Sequence, residues 1–340
     1  MEGHAAALQH FIMLNHLTIK NFRCLKEIDV PIRPLTVLIG RNDTGKSAFL
    51  QAVENLARQP DRIADTDFWR CDTTFDIVVT GMSGGASVQW AKGKDKRVRP
   101  SRKIILEEEA GDSPPPPTLT PIARFQLPSD GVPMECKGYS DGQEGSLELG
   151  NTGQQVPALF DFLLRTDRRR LDAIIAALRE LVPGFQDIDI ATPSPELRRL
   201  DLVVEGGLRI PASLASVGLR MLLFFVALAY HPRPPRLILL EEPETGVYPK
   251  RLENIVRLLR EITEGKHGQN ASQIILTTHS PYLLDCIDLD YDEVLVFQRN
   301  ADGSRSAEPA DAERLRTFLD EFMLGEVWFN QGEEGLVSRK

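Results

Sequence analysis

Pro34-Leu35-Thr36-Val37-Leu38-Ile39-Gly40-Arg41-Asn42-Asp43-Thr44-Gly45-Lys46-Ser47 is the stretch on which the fold turns. Its first six residues form a short apolar run that meets a glycine turn, which predicts a buried strand. Gly40 to Ser47 then read GxxxxGK[ST]. The glycines let backbone N–H groups turn inward around an anion, and a following helix adds the positive end of its dipole. That helix is expected, because Phe49, Leu50, Val53 and Leu56 recur at helical spacing. Strand, glycine loop and helix together predict a triphosphate cradle made by Gly40, Arg41, Asn42, Asp43, Thr44, Gly45, Lys46 and Ser47. ATP and Mg²⁺ are the expected ligands, with Lys46 reaching the β- and γ-phosphates and Ser47 holding the metal.

Outward from the loop, the last third of the chain alternates helix and strand. A helix is expected over about Ser216–Tyr230 and a strand over Arg236–Leu240. A second helix over about Pro249–Thr263 precedes a strand at Gln273–Thr277, and another strand lies near Glu293–Phe297. This βαβ order predicts a mainly parallel sheet covered by helices. Ahead of the loop, Leu17, Ile19 and Phe22 alternate as a strand does. Val156 to Leu181 carries a helical apolar stripe. Phe75 to Met134 reads as β-hairpins joined by flexible loops, with a basic tract, the acidic run Glu107–Glu109 and the prolines Pro114 to Pro117.

Two more strand ends carry chemistry. Leu237-Ile238-Leu239-Leu240 runs into Glu241-Glu242-Pro243-Glu244, and ligands bind at the carboxyl edge of open α/β sheets. Adjacent carboxylates there repel unless a cation or substrate lies between them. Glu241 is the expected metal-side carboxylate and Glu242 the base that orients and deprotonates water. Ile274-Ile275-Leu276 runs into Thr277-Thr278-His279-Ser280-Pro281, where His279 could hydrogen-bond a terminal phosphate. Ser216-Val217-Gly218 heads the apolar helix, and a serine and a glycine at a helix N-terminus can hold an anion.

These four motifs together resemble the ATPase head of the ABC superfamily, in its RecF, SMC and OLD branch. Leu17-Thr18-Ile19-Lys20-Asn21-Phe22-Arg23-Cys24-Leu25 is similar to the opening "I-x-N-F-R-x-L" strand of that branch. Glu241 to Glu244 with Gly246-Val247-Tyr248-Pro249 resembles its Walker B and D-loop. Thr277 to Pro281 matches its switch, and Ser216-Val217-Gly218 aligns with its "S-D/E-G" signature. Leu324-Gly325-Glu326-Val327-Trp328 looks like the close of stand-alone members that lack a Toprim domain. Val217, Tyr248 and Ala48 depart from the usual acidic residue, histidine and asparagine.

The resemblance implies one ABC-type domain over 14–335. It would comprise a P-loop half at 14–75 with an antiparallel β subdomain, and a β-rich insertion at about 76–150. A helical signature lobe at 151–230 and a Walker B and switch half at 231–335 would follow. Residues 1–13 read as a leader, either disordered or lying ahead of a true start at Met13. Arg23 and Gln126 join the nucleotide-binding candidates, Gln126 as the Q-loop. Two heads would sandwich two ATP molecules, each site finished by Ser216 and Gly218 of the other copy.

Composition bounds the role. The net charge of −9 disfavours a surface built for nucleic acid, so DNA contact must be local. The candidate is Lys92, Lys94, Lys96, Arg97, Arg99, Arg102 and Lys103, although charge of this kind is more often the solvated face of surface hairpins. Cys24, Cys71, Cys136 and Cys286 show no paired spacing, which fits a reducing cytosol rather than a zinc site or a disulfide framework. The longest apolar run, Met221–Tyr230, is too short to cross a bilayer. About 170 residues between loop and signature contain no heptads, which opposes an SMC rod. The expected role is a nucleotide-driven dimerisation switch for a separate, nuclease-like effector in antiviral defence. A RecF-like DNA-repair clamp and a non-hydrolysing sensor are the other readings.

Overall fold

The computed structural model describes residues 13–58, 60, 64–72, 76–83, 86–93, 100–106, 119, 121–140, 147–319 and 322–337. The leader, the acidic run, the four prolines and Lys94, Lys96, Arg97 and Arg99 of the basic tract lie outside them. The chain opens with β1 (His16–Phe22), β2 (Leu25–Pro31), β3 (Leu35–Ile39) and α1 (Lys46–Arg58), then β4 (Ile77–Ser83), β5 (Ala86–Lys92), β6 (Ser101–Leu106) and β7 (Ile122–Gln126). β8 (Glu135–Lys137), α2 (Val156–Thr166), α3 (Arg168–Leu181), β9 (Phe185–Ala191), β10 (Leu197–Val204), β11 (Leu208–Pro211) and α4 (Val217–Ala229) follow. The last part holds β12 (Leu237–Glu241), α5 (Leu252–Glu264), β13 (Gln273–Thr277), α6 (Pro281–Leu284), β14 (Glu293–Arg299), β15 (Arg305–Pro309), α7 (Ala312–Leu319) and α8 (Leu324–Gln331).

One sheet of 11 strands runs in the order β6-β5-β4-β1-β2-β15-β14-β3-β13-β12-β7. β14, β3, β13, β12 and β7 are mutually parallel. β3 is buried at all five positions, as a strand covered on both faces must be. Alternation feeds two cores from the same strands. Leu35, Val37, Ile39, Ile238, Leu240, Ile274 and Leu276 pack towards α2 to α5. Leu38, Leu237, Leu239 and Ile275 pack with Phe49, Leu50 and Val53 of α1. Met221 to Ala229 of α4 are buried all round, which is why that helix is apolar on every face.

β1, β2, β4, β5 and β6 form an antiparallel wing. The wing joins the parallel part where β15 meets β2, at the single register pair Arg305↔Leu25.

Four expectations need correction. The stretch Phe75–Met134 is not all hairpin, because β7 leaves the wing and pairs in parallel with β12. Val156–Leu181 is two helices, broken at Asp167, whose carboxylate accepts from the backbone N–H of Arg170 and so starts a new helix. The lobe expected to be helical also contains an antiparallel sheet of β11, β10 and β8, with β9 paired to β10. Its strands are mostly half-buried, so their apolar alternation is diluted, and Gly206 and Gly207 supply the positive-φ turn between β10 and β11. Lys92 of the basic tract is buried at 6% exposure and has no surface to offer DNA; Lys103 is exposed, and Arg102 is described only as backbone in β6. Among the described residues no helix is long and apolar enough to cross a membrane.

Candidate functional site

The loop after β3 is held open by backbone conformations that suit glycine. Gly40 has φ +137°, and a Cβ there would lie 2.4 Å from the carbonyl oxygen of Phe297. Gly45 has φ +105°, with Leu25 2.8 Å from where its Cβ would stand. Inside the loop the Thr44 hydroxyl donates to the Arg41 carbonyl at 2.7 Å. Lys46 Nζ donates to the carbonyls of Gly40 at 2.7 Å and Arg41 at 2.9 Å. Burial pulls this ammonium down to a pKa of about 8, against the opposing pull of Glu242 and Glu333. A buried cation whose hydrogen bonds, among the described residues, go to loop carbonyls fits an incoming phosphate.

The carboxylates of β12 converge on the same place. Glu241 Oε2 accepts from the Ser47 hydroxyl at 3.3 Å, so the first residues of α1 and the end of β12 meet across 194 residues of sequence. A hydroxyl and a carboxylate oxygen facing each other fit a divalent cation and its waters. Glu242 has φ +45°, a left-handed conformation that costs a non-glycine residue about 1–3 kcal/mol. Its N–H is pinned to the Thr277 carbonyl at 3.0 Å, while its half-exposed carboxylate turns towards His279 Nε2 at 3.8 Å. Burial and then Lys46 hold the His279 pKa below the usual imidazole value, which favours the neutral ring.

Glu244 braces the two strand ends. Its Oε1 accepts from the Thr278 hydroxyl at 2.7 Å and from the His279 N–H at 2.8 Å. Burial raises its pKa, and those hydrogen bonds oppose the rise. We expect Glu244→Ala to cost about 1–3 kcal/mol by leaving both donors without a partner. Glu244→Gln keeps the acceptor and should cost less than half as much, so urea unfolding of the two variants separates the brace from its charge.

Gln126 ends β7 in parallel register with Glu241, which brings the Q-loop candidate to the carboxylate edge with its side chain exposed. Arg23 lies instead in the β1–β2 turn, where its Nε contacts Asp67 Oδ1 at 2.8 Å and its guanidinium stacks over Phe22. Its neighbours Cys24 and Leu25 are the residues that press on Gly45. Ser216 caps α4, its hydroxyl accepting from the Leu219 N–H at 3.3 Å. Gly218 stands 3.6 Å, from its Cβ position, from the carbonyl of Gly246, and Val217 packs on the same glycine. Among the described residues no hydrogen bond joins Ser216 or Gly218 to 40–47. Arg220 donates to the carbonyls of Asp130, Gly131 and Val132, tying α4 to the loop that follows Gln126.

Two features were not read from the sequence. Arg124, two residues before Gln126, donates through Nη2 to Glu241 Oε1 at 2.7 Å. Glu333, from the C-terminal turn, lies 3.6 Å from Arg41 and acts electrostatically on both Lys46 and His279. That turn walls a cleft of about 590 Å³ beside Arg41, Asn42, Asp43 and Thr44, a volume suited to a small ligand. The other wall is Phe297 to Arg299 with Arg305.

Comparison with known proteins finds related sequences and folds. A family profile described as "AAA ATPase domain" matches residues 13–96. A second, described as "AAA domain, putative AbiEii toxin, Type IV TA system", matches residues 147–285. The chain is 26% identical over 326 residues to the OLD nuclease of Thermus scotoductus, a match covering 80% of this chain and 60% of that protein. The chain therefore spans about 60% of the length of that curated relative. An SMC head solved with the C-terminal winged-helix domain of ScpA aligns at a TM-score of 0.57 and 15% identity, over 88% of this chain and 98% of that one. The recombination mediator RecF, solved with an ATP analogue, aligns at 0.40 and 12%, over 88% and 99%.

Proposed function

We propose that this chain, an ATPase of the OLD/RecF/SMC-like kind, binds ATP with Mg²⁺ and hydrolyses it in a head-to-head pair, and that the cycle drives an effector in bacterial defence against phage. The observation that carries the reading is the Ser47–Glu241 contact, which joins the start of α1 to the strand that continues into Glu242, itself 3.8 Å from His279. Lys46 and the loop amides hold the phosphates. Ser47 and Glu241 are the residues that would hold Mg²⁺, which when bound neutralises phosphate charge. Glu242, at the solvent side of that contact, orients a water and accepts its proton. Neutral His279 can donate a hydrogen bond to a terminal phosphate oxygen.

The pairing rests on Ser216 and Gly218. They head a helix, and Ser216 is exposed, yet neither bonds to the glycine loop of its own chain. An anion site so placed has a use if it meets the nucleotide of a second copy. Removing one anion donor typically costs about 10²–10³ in rate. Ser216→Arg should therefore cut steady-state turnover by about a hundred-fold and abolish the ATP-induced dimer in sizing, while a single chain still binds ATP. Intact turnover in Ser216→Arg beside a dead Lys46→Ala would end the sandwich reading. The same assay with duplex DNA separates roles, since strong stimulation would favour a DNA-repair clamp over an effector switch.

A further inference from the structure

We infer that Arg124 is a positioning residue for the metal-side carboxylate, a clamp that fixes which oxygen of Glu241 faces Ser47; the inference rests on the ATP and Mg²⁺ reading of the site. Its Nε at 3.0 Å and Nη2 at 2.7 Å both donate to Glu241 Oε1. The other oxygen, Oε2, is left to the Ser47 hydroxyl. The remaining arm of the fork, Nη1, reaches α1, donating to Gln51 Oε1 at 2.8 Å and Glu54 Oε2 at 3.0 Å. Burial opposes the charge on Arg124, but the hydrogen bonds and charges of Glu241 and Glu54 outweigh it and raise the guanidinium pKa. The charge is therefore permanent at any working pH.

A glutamate side chain rotates freely about its last bonds, and a free Glu241 could offer either oxygen or turn away. Two donors on one oxygen remove that freedom. The clamp also joins three elements that the metal site needs in register. These are β7 leading into Gln126, β12 carrying Glu241, and α1 carrying Ser47 one turn before Gln51. Lysine could match the charge, but its single ammonium cannot span Glu241 and α1 together. Partners that orient a metal's ligands are typically worth 10- to 100-fold in metal affinity.

The test is the gain in nucleotide affinity that Mg²⁺ brings, read as Kd for a fluorescent ATP analogue in EDTA and in Mg²⁺. We expect Arg124→Ala to shrink that gain by about ten-fold, with the EDTA value within about two-fold of wild type. Arg124→Lys should restore only a part of the gain. Glu54→Gln, which loosens the anchor on α1 without touching Glu241, should shrink the gain by a few-fold and decides the matter if Arg124→Ala does not fold. An unchanged gain in Arg124→Ala, or an equal loss of affinity with and without metal, overturns the clamp alone. Wild type that binds no nucleotide in either buffer overturns the ATP reading and the clamp with it.

Discussion

Glu242→Gln should lower steady-state ATP turnover by about 10²–10³-fold and leave ATP affinity within about two-fold of wild type. The amide keeps the size of the side chain and loses only the ability to take a proton. The backbone of Glu242, with φ +45° and its N–H bonded to the Thr277 carbonyl, is not held through the carboxylate that the substitution changes. The contact with His279 at 3.8 Å is loose enough that its loss does not move the switch strand. Binding and chemistry should therefore separate, and the variant should accumulate in the ATP-bound, paired form on a sizing column. Turnover within about three-fold of wild type would remove Glu242 from the role of base and support the sensor reading instead.

Lys46→Ala should weaken ATP binding by about a hundred-fold or more. Each charge-assisted hydrogen bond to phosphate is worth about 1.5–3 kcal/mol, and about 1.4 kcal/mol is ten-fold in affinity. The pH dependence gives a sharper signature. Burial holds the Lys46 pKa near 8 rather than its usual 10.5. Below about 8 the ammonium is present and affinity is at its plateau; as pH rises through 8 the neutral amine predominates and affinity falls. Phosphate favours the charged form, so binding above that pH takes up a proton, measurable by calorimetry in buffers of different ionisation heat. Lys46→Ala should lose both the slope and the uptake. A flat wild-type profile from pH 7 to 9.5 would show that Lys46 does not meet the phosphates.

The strand ends that carry the candidate site were legible because a parallel sheet buries its strands on both faces. Leu35–Ile39, Leu237–Leu240 and Ile274–Leu276 read as mainly apolar runs, and each leads into a motif. Helix α4 was legible for the same reason, with Ser216 at its cap. The half-buried strands β9, β10 and β11 gave weak alternation, and their sheet went unread. Arg124 was invisible for a different cause. Nothing local marks it among the chain's arginines, and its meaning lies in Glu241, 117 residues away. Glu333 and Arg41 are likewise partners only in space. Gln126 could be named from the resemblance, but only the β7–β12 register brings it beside Glu241.

The eleven-stranded sheet is joined across its middle by the one rung Arg305↔Leu25. The ladder there is narrow, but the wing is no separate plate, because Leu17, Ile19, Val79 and Trp90 share one core with Leu38, Leu239 and Phe297 of the other part. Bending of the antiparallel wing would reach the other strands through that shared core and through the rung at Arg305. That residue's Nε holds the carbonyl of Asp43 at 2.6 Å, inside the glycine loop. Leu25, the other half of the rung, lies beside Gly45 of the same loop, 2.8 Å from where a Cβ there would stand. The one rung between wing and parallel strands thus abuts the glycine loop through both of its residues.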